Sequence, residues 1–189
     1  MDAALETIAG QGFGASTADD VCARAGLTPA HIERKFGDLE KCLIRAHRRL
    51  TAPPIERALK LAEADRPWPQ RIRAALEPLL GWLAAEPRMA MVAMVEIQAA
   101  GPRGRRAYWE TLERLAPLIE SGRDYVADGE QLPATIAMLA IGAAESVILD
   151  MVVAGRAKEL PEMLPDLLFV VLAPVLGPQA ASAEVERLC

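Results

Sequence analysis

The fold is decided by one stretch of sequence, STADDVCARAGLTPAHIERKF, which spans residues 16–36. This stretch predicts two short helices joined by a tight turn. Ser16 or Thr17 can cap the first helix, and an aspartate three residues later completes a capping box. Gly26 supplies a left-handed stop, after which Leu27 is expected to turn back toward the core. The caps, the turn and the apolar spacing together predict a helix-turn-helix.

The second helix of the motif has its own start signal. Thr28 is a second N-cap, and Pro29 occupies the first helical position, where the missing N–H of proline costs nothing. Ile32 and Phe36 are four residues apart, so both are predicted to face the core. The outer side of the helix is then formed by Ala30, His31, Arg34 and Lys35.

A dozen positions in roughly the first 45 residues carry a further pattern: Gly12, Phe13, Thr17, Val21, Ala25, Gly26, Leu27, Thr28, Phe36, Gly37, Glu40 and Leu43. This pattern resembles the N-terminal domain of the tetracycline-repressor (TetR) family of transcriptional regulators. The resemblance implies a three-helix DNA-binding domain followed by a helical domain that dimerises and binds an effector. A generic helical hairpin with the same caps is the alternative. Relative to that family the first helix is short, which implies either a gene start set too far downstream or fewer phosphate contacts.

The resemblance also implies which residues contact operator DNA: Thr17, Thr28, Pro29, Ala30, His31, Arg34, Lys35 and Lys41. Arg34 and Lys35 can bind phosphates or a guanine edge, and a solvated helix surface is the alternative. Two positions depart from the family's pattern, since Glu33 stands where an aromatic residue is usual and Leu39 where lysine is usual. Both changes weaken phosphate binding. The rival hypothesis is therefore a dimer of this fold that binds a ligand or a partner and has lost DNA binding.

Composition indicates an all-α protein, because apolar residues make up 52% of the chain and no period-2 alternation is present. The charges are less typical of a DNA-binding protein. Residues 1–50 contain seven basic and seven acidic side chains, and the whole chain has a formal net charge of −5. A DNA-binding module usually has a clear excess of basic residues.

The chain divides into a predicted DNA-binding domain, residues 1–50, and a predicted effector-binding and dimerisation domain, residues 51–189. Pro53 and Pro54 are expected to kink or end the fourth helix at this junction. Further helices are predicted over 68–86, 88–100, 103–127, 132–154 and 161–176, with a tail over 178–189. The segments 132–154 and 161–176 are apolar nearly all round, which favours a homodimer bundle. Burial of both helices inside the monomer is the alternative.

Methionine and aromatic side chains recur on the helices of the second domain, and such side chains suit an apolar cavity. The predicted ligand-binding residues are Trp82, Met89, Met94, Trp109, Tyr125 and Met138, and the predicted effector is a small apolar or aromatic molecule. Ordinary core packing is the alternative for each of them. Two carboxylates inside apolar segments are candidate polar anchors of the cavity or partners of arginines such as Arg103 and Arg123: Glu96 and Glu145.

Several other function classes find no support in the sequence. The only histidines, His31 and His47, have no glutamate at the spacing of a carboxylate-bundle metal site, and no paired-cysteine zinc motif is present. No nucleophile elbow, phosphate loop or dinucleotide motif occurs, so we predict no enzyme, catalytic residue, metal or cofactor. Cys22 and Cys42 are expected to be small buried residues in a reducing compartment. With no signal segment and no predicted membrane span, a cytoplasmic protein is expected.

Overall fold

Helices are the regular elements of the computed structural model, which describes residues 1–28, 30–63 and 65–189. No strand occurs within these ranges, and the predicted all-α fold is confirmed. The first half of the chain contains α1 (Asp2–Gln11), α2 (Ala18–Ala25), α3 (Ala30–Phe36), α4 (Leu39–Ala62) and α5 (Trp68–Ala85). The next part contains α6 (Pro87–Met91), a π-helical segment (Val92–Glu96), α7 (Ile97–Ala99), α8 (Pro102–Glu113) and α9 (Ala116–Glu120). The last part contains α10 (Ile136–Val153), α11 (Leu164–Leu176) and α12 (Pro178–Leu188), with 3₁₀ segments at Ser121–Tyr125, Gly129–Gln131 and Ala157–Met163.

The chain forms two compact units that differ from the predicted domains. The first unit contains Met1–Pro53 together with Glu86–Thr111, and the second contains Pro54–Ala85 and Leu112–Cys189. The division at Pro53 and Pro54 coincides with the junction expected from the two prolines. Residues 86–111, however, are grouped with the N-terminal helices. Whether the functional domains follow the boundary at residue 50 stays a prediction.

The fourth helix does not end at the two prolines, because α4 continues through Pro53 and Pro54 to Ala62. Prolines there remove two helical hydrogen bonds. The helix buries side chains on both sides of the pair, including Ala46 before it and Ile55 and Ala58 after it. This burial of apolar surface outweighs the lost hydrogen bonds.

The predicted helix over 103–127 is wrong in its length, since α8 ends at Glu113 and α9 begins at Ala116. Pro117 has no N–H to donate to the carbonyl of Glu113, so the helix ends there. The apolar spacing of this helix also predicts that Trp109 faces inward, and this prediction is wrong. Its neighbour Tyr108 is buried, whereas Trp109 is 37% exposed.

The C-terminal residues 178–189 form the helix α12 rather than a tail. Pro178 is at the start of this helix, where proline is favoured, and Ala181 is fully buried. The helix packs against α11 and α5. A short amphipathic helix of this kind is stabilised by the surface that it covers, which the sequence alone does not reveal.

Helix α10 is long and apolar enough to cross a membrane by length and composition alone. Within the chain, 39% of this helix is buried, and it packs against α9 and α11. Core helices of soluble proteins have the same length and composition. Two large side chains of α10 are exposed, Leu139 at 58% and Val153 at 60%.

Candidate nucleic-acid interface

The first helix of the motif begins with the capping box that the sequence predicts. The Thr17 hydroxyl accepts the Asp20 N–H at 3.1 Å, and the Asp20 carboxylate accepts the Thr17 N–H at 2.9 Å. The hydroxyl also donates to this carboxylate at 2.7 Å. Hydrogen bonds from the side chain and the backbone of Thr17 lower the pKa of Asp20. The hydroxyl proton of Thr17 is therefore engaged inside the cap.

The turn of the motif depends on a left-handed residue. Gly26 has φ 66° and ψ 32°, and its N–H is directed to the carbonyls of Ala23 and Cys22. The next N–H, that of Leu27, donates to the Cys22 carbonyl at 2.9 Å. The side chain of Leu27 does not return to the core as expected, since it is 45% exposed. The hydrogen bonds of the turn, rather than an apolar contact of Leu27, set the direction of the chain into α3.

Helix α3 has an inner and an outer side, as predicted. Ile32 is buried and Phe36 is half-buried against a core that includes Ala4, Val21 and Cys42. The outer residues Ala30, Glu33, Arg34 and Lys35 are exposed, and His31 is half-buried. Pro29 lies outside the described residues. Which of these side chains contact DNA stays a prediction.

The start of α4 is fixed by an aspartate cap. Asp38 accepts the Lys41 N–H at 2.7 Å and forms an ion pair with the Lys41 ammonium at 2.9 Å. Hydrogen bonds from the backbone and the side chain of Lys41 lower the pKa of Asp38. Leu39, in the place where the family usually has lysine, packs half-buried against the core. It therefore contributes apolar surface and no charge at this position.

A cleft of about 390 Å³ lies among the first four helices. Its wall is apolar, with Val21, Ile32 and Phe36, and its basic side chains include Lys35 and Arg45. The Lys35 ammonium lies 5.7 Å and the Arg45 guanidinium 6.0 Å from the centre of the Phe36 ring. These distances are those of cation–π contacts, and the contact of Arg45 holds a cation of α4 beside α3.

Two polar contacts join the N-terminal helices to residues 86–111 of the same unit. The Glu96 carboxylate accepts the Phe13 N–H at 2.6 Å, in the loop between α1 and α2. His47 of α4 is fully buried, and its Nε2 lies 3.0 Å from the Ala93 carbonyl. Its Nδ1 has no hydrogen-bond partner within the described residues, and burial lowers the pKa of His47 to about 4. The sequence identified Glu96 as a candidate anchor or partner, but nothing in the pattern singled out His47 as a structural residue.

The six predicted ligand-binding residues are divided between the two units. Met89, Met94 and Trp109 belong to the first unit, and Trp82, Tyr125 and Met138 to the second. Met94 is buried, the other two methionines and Trp82 are half-buried, and Tyr125 is exposed. Whether the six side chains belong to one functional domain and bind a ligand stays a prediction.

Arg123, one of the two arginines proposed as partners of Glu96 and Glu145, has other partners. Arg123 pairs with Glu120 at 2.6 Å and donates to the carbonyls of Gly129, Leu132 and Pro133. The alternative that Glu96 pairs with an arginine is replaced by its contact with Phe13. No group of histidine, cysteine, aspartate and glutamate that could hold a metal ion occurs in residues 1–28, 30–63 and 65–189.

Comparisons with known proteins agree with this geometry. Residues 1–46 match the family model described as bacterial regulatory proteins, tetR family. The fold is similar to that of the fatty acid degradation regulator FadR from Bacillus halodurans, with a TM-score of 0.77 and 17% identity over 90% of this chain and 95% of that chain. It is also similar to FadR from Bacillus subtilis in complex with stearoyl-CoA, with a TM-score of 0.72 and 20% identity over 93% and 96% of the two chains.

A third similar structure is SmeT, the repressor of the Stenotrophomonas maltophilia multidrug efflux pump SmeDEF. Its TM-score is 0.70, with 20% identity over 91% of this chain and 86% of that chain. No curated protein matches the sequence. At these identities the solved structures establish the fold, and the family model matches residues 1–46.

The buried imidazole of His47 makes stability depend on pH. Its pKa is about 4 in the folded chain and 6.5 without burial, so the unfolded chain binds the proton first as pH falls. We expect the free energy of unfolding to fall between about pH 7 and pH 4.5, by roughly 2 kcal/mol from this residue. His47→Gln retains a donor for Ala93 but does not titrate. Urea unfolding at both pH values should show a smaller loss in the variant, and equal losses would contradict the assignment.

Proposed function

We propose that this chain, whose N-terminal domain belongs to the tetR family of bacterial regulatory proteins, is a homodimeric transcriptional repressor that releases operator DNA when a small apolar molecule binds. The observation that carries the proposal is the helix-turn-helix of residues 16–36, which presents Arg34 and Lys35 on the exposed side of α3. The coarser statement, a DNA-binding transcriptional regulator, follows from the family match. Repression, the effector and the dimer are the finer parts of the proposal.

The equal numbers of charges in residues 1–50 do not act equally on DNA. Asp20 lies in the cap of α2, and Asp38 is paired with Lys41. On the outer side of α3, Arg34 and Lys35 remain exposed beside the single carboxylate of Glu33. Salt screens the interaction between the DNA phosphates and distant charges of the protein. The local excess of basic groups on α3 therefore supports DNA binding more than the net charge of the whole chain opposes it.

Glu33 distinguishes the proposed repressor from the rival that has lost DNA binding. If α3 enters the major groove in the family's manner, Glu33 lies near the phosphate backbone and repels it. Glu33→Tyr should tighten binding by a similar factor for every DNA sequence, because phosphate contacts carry no base information. Arg34→Ala and Lys35→Ala should each weaken binding and lower the salt slope by about 1.

Fluorescence anisotropy with the DNA upstream of the chain's own gene measures these effects at low salt. Glu63→Gln, which removes an exposed carboxylate of the second unit, is the matched control for Glu33. If neither the wild type nor Glu33→Tyr binds at about 50 mM salt, the repressor is excluded and the rival takes its place.

Exposed apolar side chains on the last long helices support the homodimer. Leu139 and Val153 of α10 and Phe169 of α11 are exposed, as is the small residue Ala143. A second copy that covers this face would remove the apolar surface from water, at about 25 cal/mol per Å². The segment 132–176 is therefore the proposed interface. A membrane that covers the exposed side of α10 is the alternative.

A charge at the proposed interface should prevent association. Ala143→Asp and Leu139→Asp place an unpaired carboxylate in an apolar interface, which costs several kcal/mol. Sedimentation velocity should then show monomers or aggregates. Leu61→Asp, at an exposed leucine of α4, is the control and should remain dimeric. A stable dimer in all three variants would place the interface elsewhere.

The effector proposal rests on the predicted apolar residues and on one similar structure. FadR from Bacillus subtilis was solved in complex with stearoyl-CoA, so a long acyl thioester is the first probe for this chain. In a dimer, an effector can favour a conformation in which the two α3 helices have the wrong spacing for DNA. It then lowers DNA affinity to the extent that it binds this conformation more tightly than the DNA-binding one.

Stearoyl-CoA should therefore lower DNA affinity in a saturable way, whereas coenzyme A alone should not. Anisotropy titrations of the protein–DNA complex with each compound provide the measurement. An unchanged DNA affinity at saturating stearoyl-CoA would exclude a long acyl thioester as the effector.

A further inference from the structure

We infer that Arg103, at the start of α8, binds a phosphate of the DNA backbone beside Lys41. Both residues lie outside the helix-turn-helix of residues 16–36. The inference rests on the proposed function and adds to it. It concerns only the first compact unit, which contains both residues.

An ion pair places α8 beside α4. The Arg48 guanidinium of α4 lies 2.9 Å from the Glu110 carboxylate of α8, and Arg106 reaches the same carboxylate at 3.0 Å. Seven residues before Arg48 is Lys41, and seven residues before Glu110 is Arg103. Seven residues are close to two helical turns, about 10 Å. Lys41 therefore lies on the same side of α4 as Arg48, and Arg103 lies on the same side of α8 as Glu110.

The two helices begin at the same end of the unit. Asp38 precedes α4 and is held chiefly by hydrogen bonds from Lys41, and the charge of Arg103 acts on the same carboxyl and lowers its pKa further. The Arg114 guanidinium, just after α8, also lies 3.4 Å from the Glu56 carboxylate of α4, so the two helices run in the same direction. The register set by Arg48 and Glu110 and the electrostatic effect on Asp38 therefore agree on the position of Arg103.

This position adjoins the end of α3. Helix α3 ends at Phe36, and α4 begins at Leu39, so only Gly37 and Asp38 separate them. A guanidinium at this end is next to the part of the chain that the proposed function brings to DNA. Phosphate oxygens are well matched to it, because arginine donates two parallel hydrogen bonds to them.

Arg103 differs from Lys41, Arg48 and Arg106 in having no ion-pair partner within the described ranges. Arg48 and Arg106 share Glu110, and Lys41 is paired with Asp38. Arg103 is exposed, and no carboxylate of the described ranges lies at ion-pair distance from it. Since residues 1–50 carry no net positive charge, a basic side chain contributed by a later segment supplies attraction that those residues lack.

Removing this charge should change the salt dependence of DNA binding. A mixed-sequence duplex serves as the probe, because contacts to phosphates do not depend on sequence. For Arg103→Ala, we expect the slope of log K against log salt to become shallower by about 0.9 and binding at about 0.1 M salt to weaken roughly fivefold to tenfold. Arg103→Lys, which keeps the charge, should retain most of the slope.

The matched control is Arg106→Ala, which removes the same charge from the same helix. Arg106 is bound to Glu110, so its loss should leave the slope almost unchanged. Circular dichroism and thermal unfolding confirm that the variants fold, and Arg103→Gln, which keeps part of the aliphatic stem, replaces Arg103→Ala if that variant is unfolded.

Three outcomes would overturn the inference, and they separate it from the proposed function. If Arg34→Ala makes the slope shallower and Arg103→Ala does not, the repressor stands and the role of Arg103 falls. Equal effects of Arg103→Ala and Arg106→Ala would show a general effect of charge and no contact at Arg103. If the wild type does not bind DNA at low salt, both proposals fall together.

Discussion

The left-handed backbone at Gly26 is the constraint on which the first compact unit depends. A residue with a Cβ is disfavoured at φ 66°, so glycine ends α2 there, and the following N–H closes the turn on the Cys22 carbonyl. The direction of α3 follows from this geometry. With Ile32 held in the core, the same helix must present Arg34 and Lys35 to solvent. A backbone conformation at one residue thus determines which side chains are available to a ligand.

Two buried or half-buried polar contacts extend this unit beyond the helix-turn-helix. Glu96 accepts a backbone N–H from the loop after α1, and His47 reaches the Ala93 carbonyl inside the π-helical segment. If the two partners separated inside the protein, each group would lose its hydrogen bond without gaining one to water, which costs free energy. Residues 86–111 and the N-terminal helices are therefore coupled energetically. A change in the π-helical segment would act on the loop and on α4 together.

Several carboxylates of this chain are paired with nearby donors or cations, so the net charge alone does not describe its surface. The aspartates of the two helix caps are engaged by Thr17 and Lys41, and Glu110 is shared by two arginines. Cap carboxylates stabilise the positive ends of helices, so their number reflects the need for helix starts rather than repulsion of DNA. A count of charges along the first 50 residues consequently underestimates how basic the exposed outer side of α3 is.

The sequence alone determined the helix-turn-helix and the capping box at Thr17 and Asp20, because these features depend on residues only a few positions apart. Tertiary structure decided the rest. Whether α4 continues through Pro53 and Pro54, whether Tyr108 or Trp109 is buried, and whether residues 178–189 form a helix depend on surfaces contributed by distant parts of the chain. The spacing of apolar residues shows that a helix has an inner side, but the partner that covers this side is chosen by long-range packing.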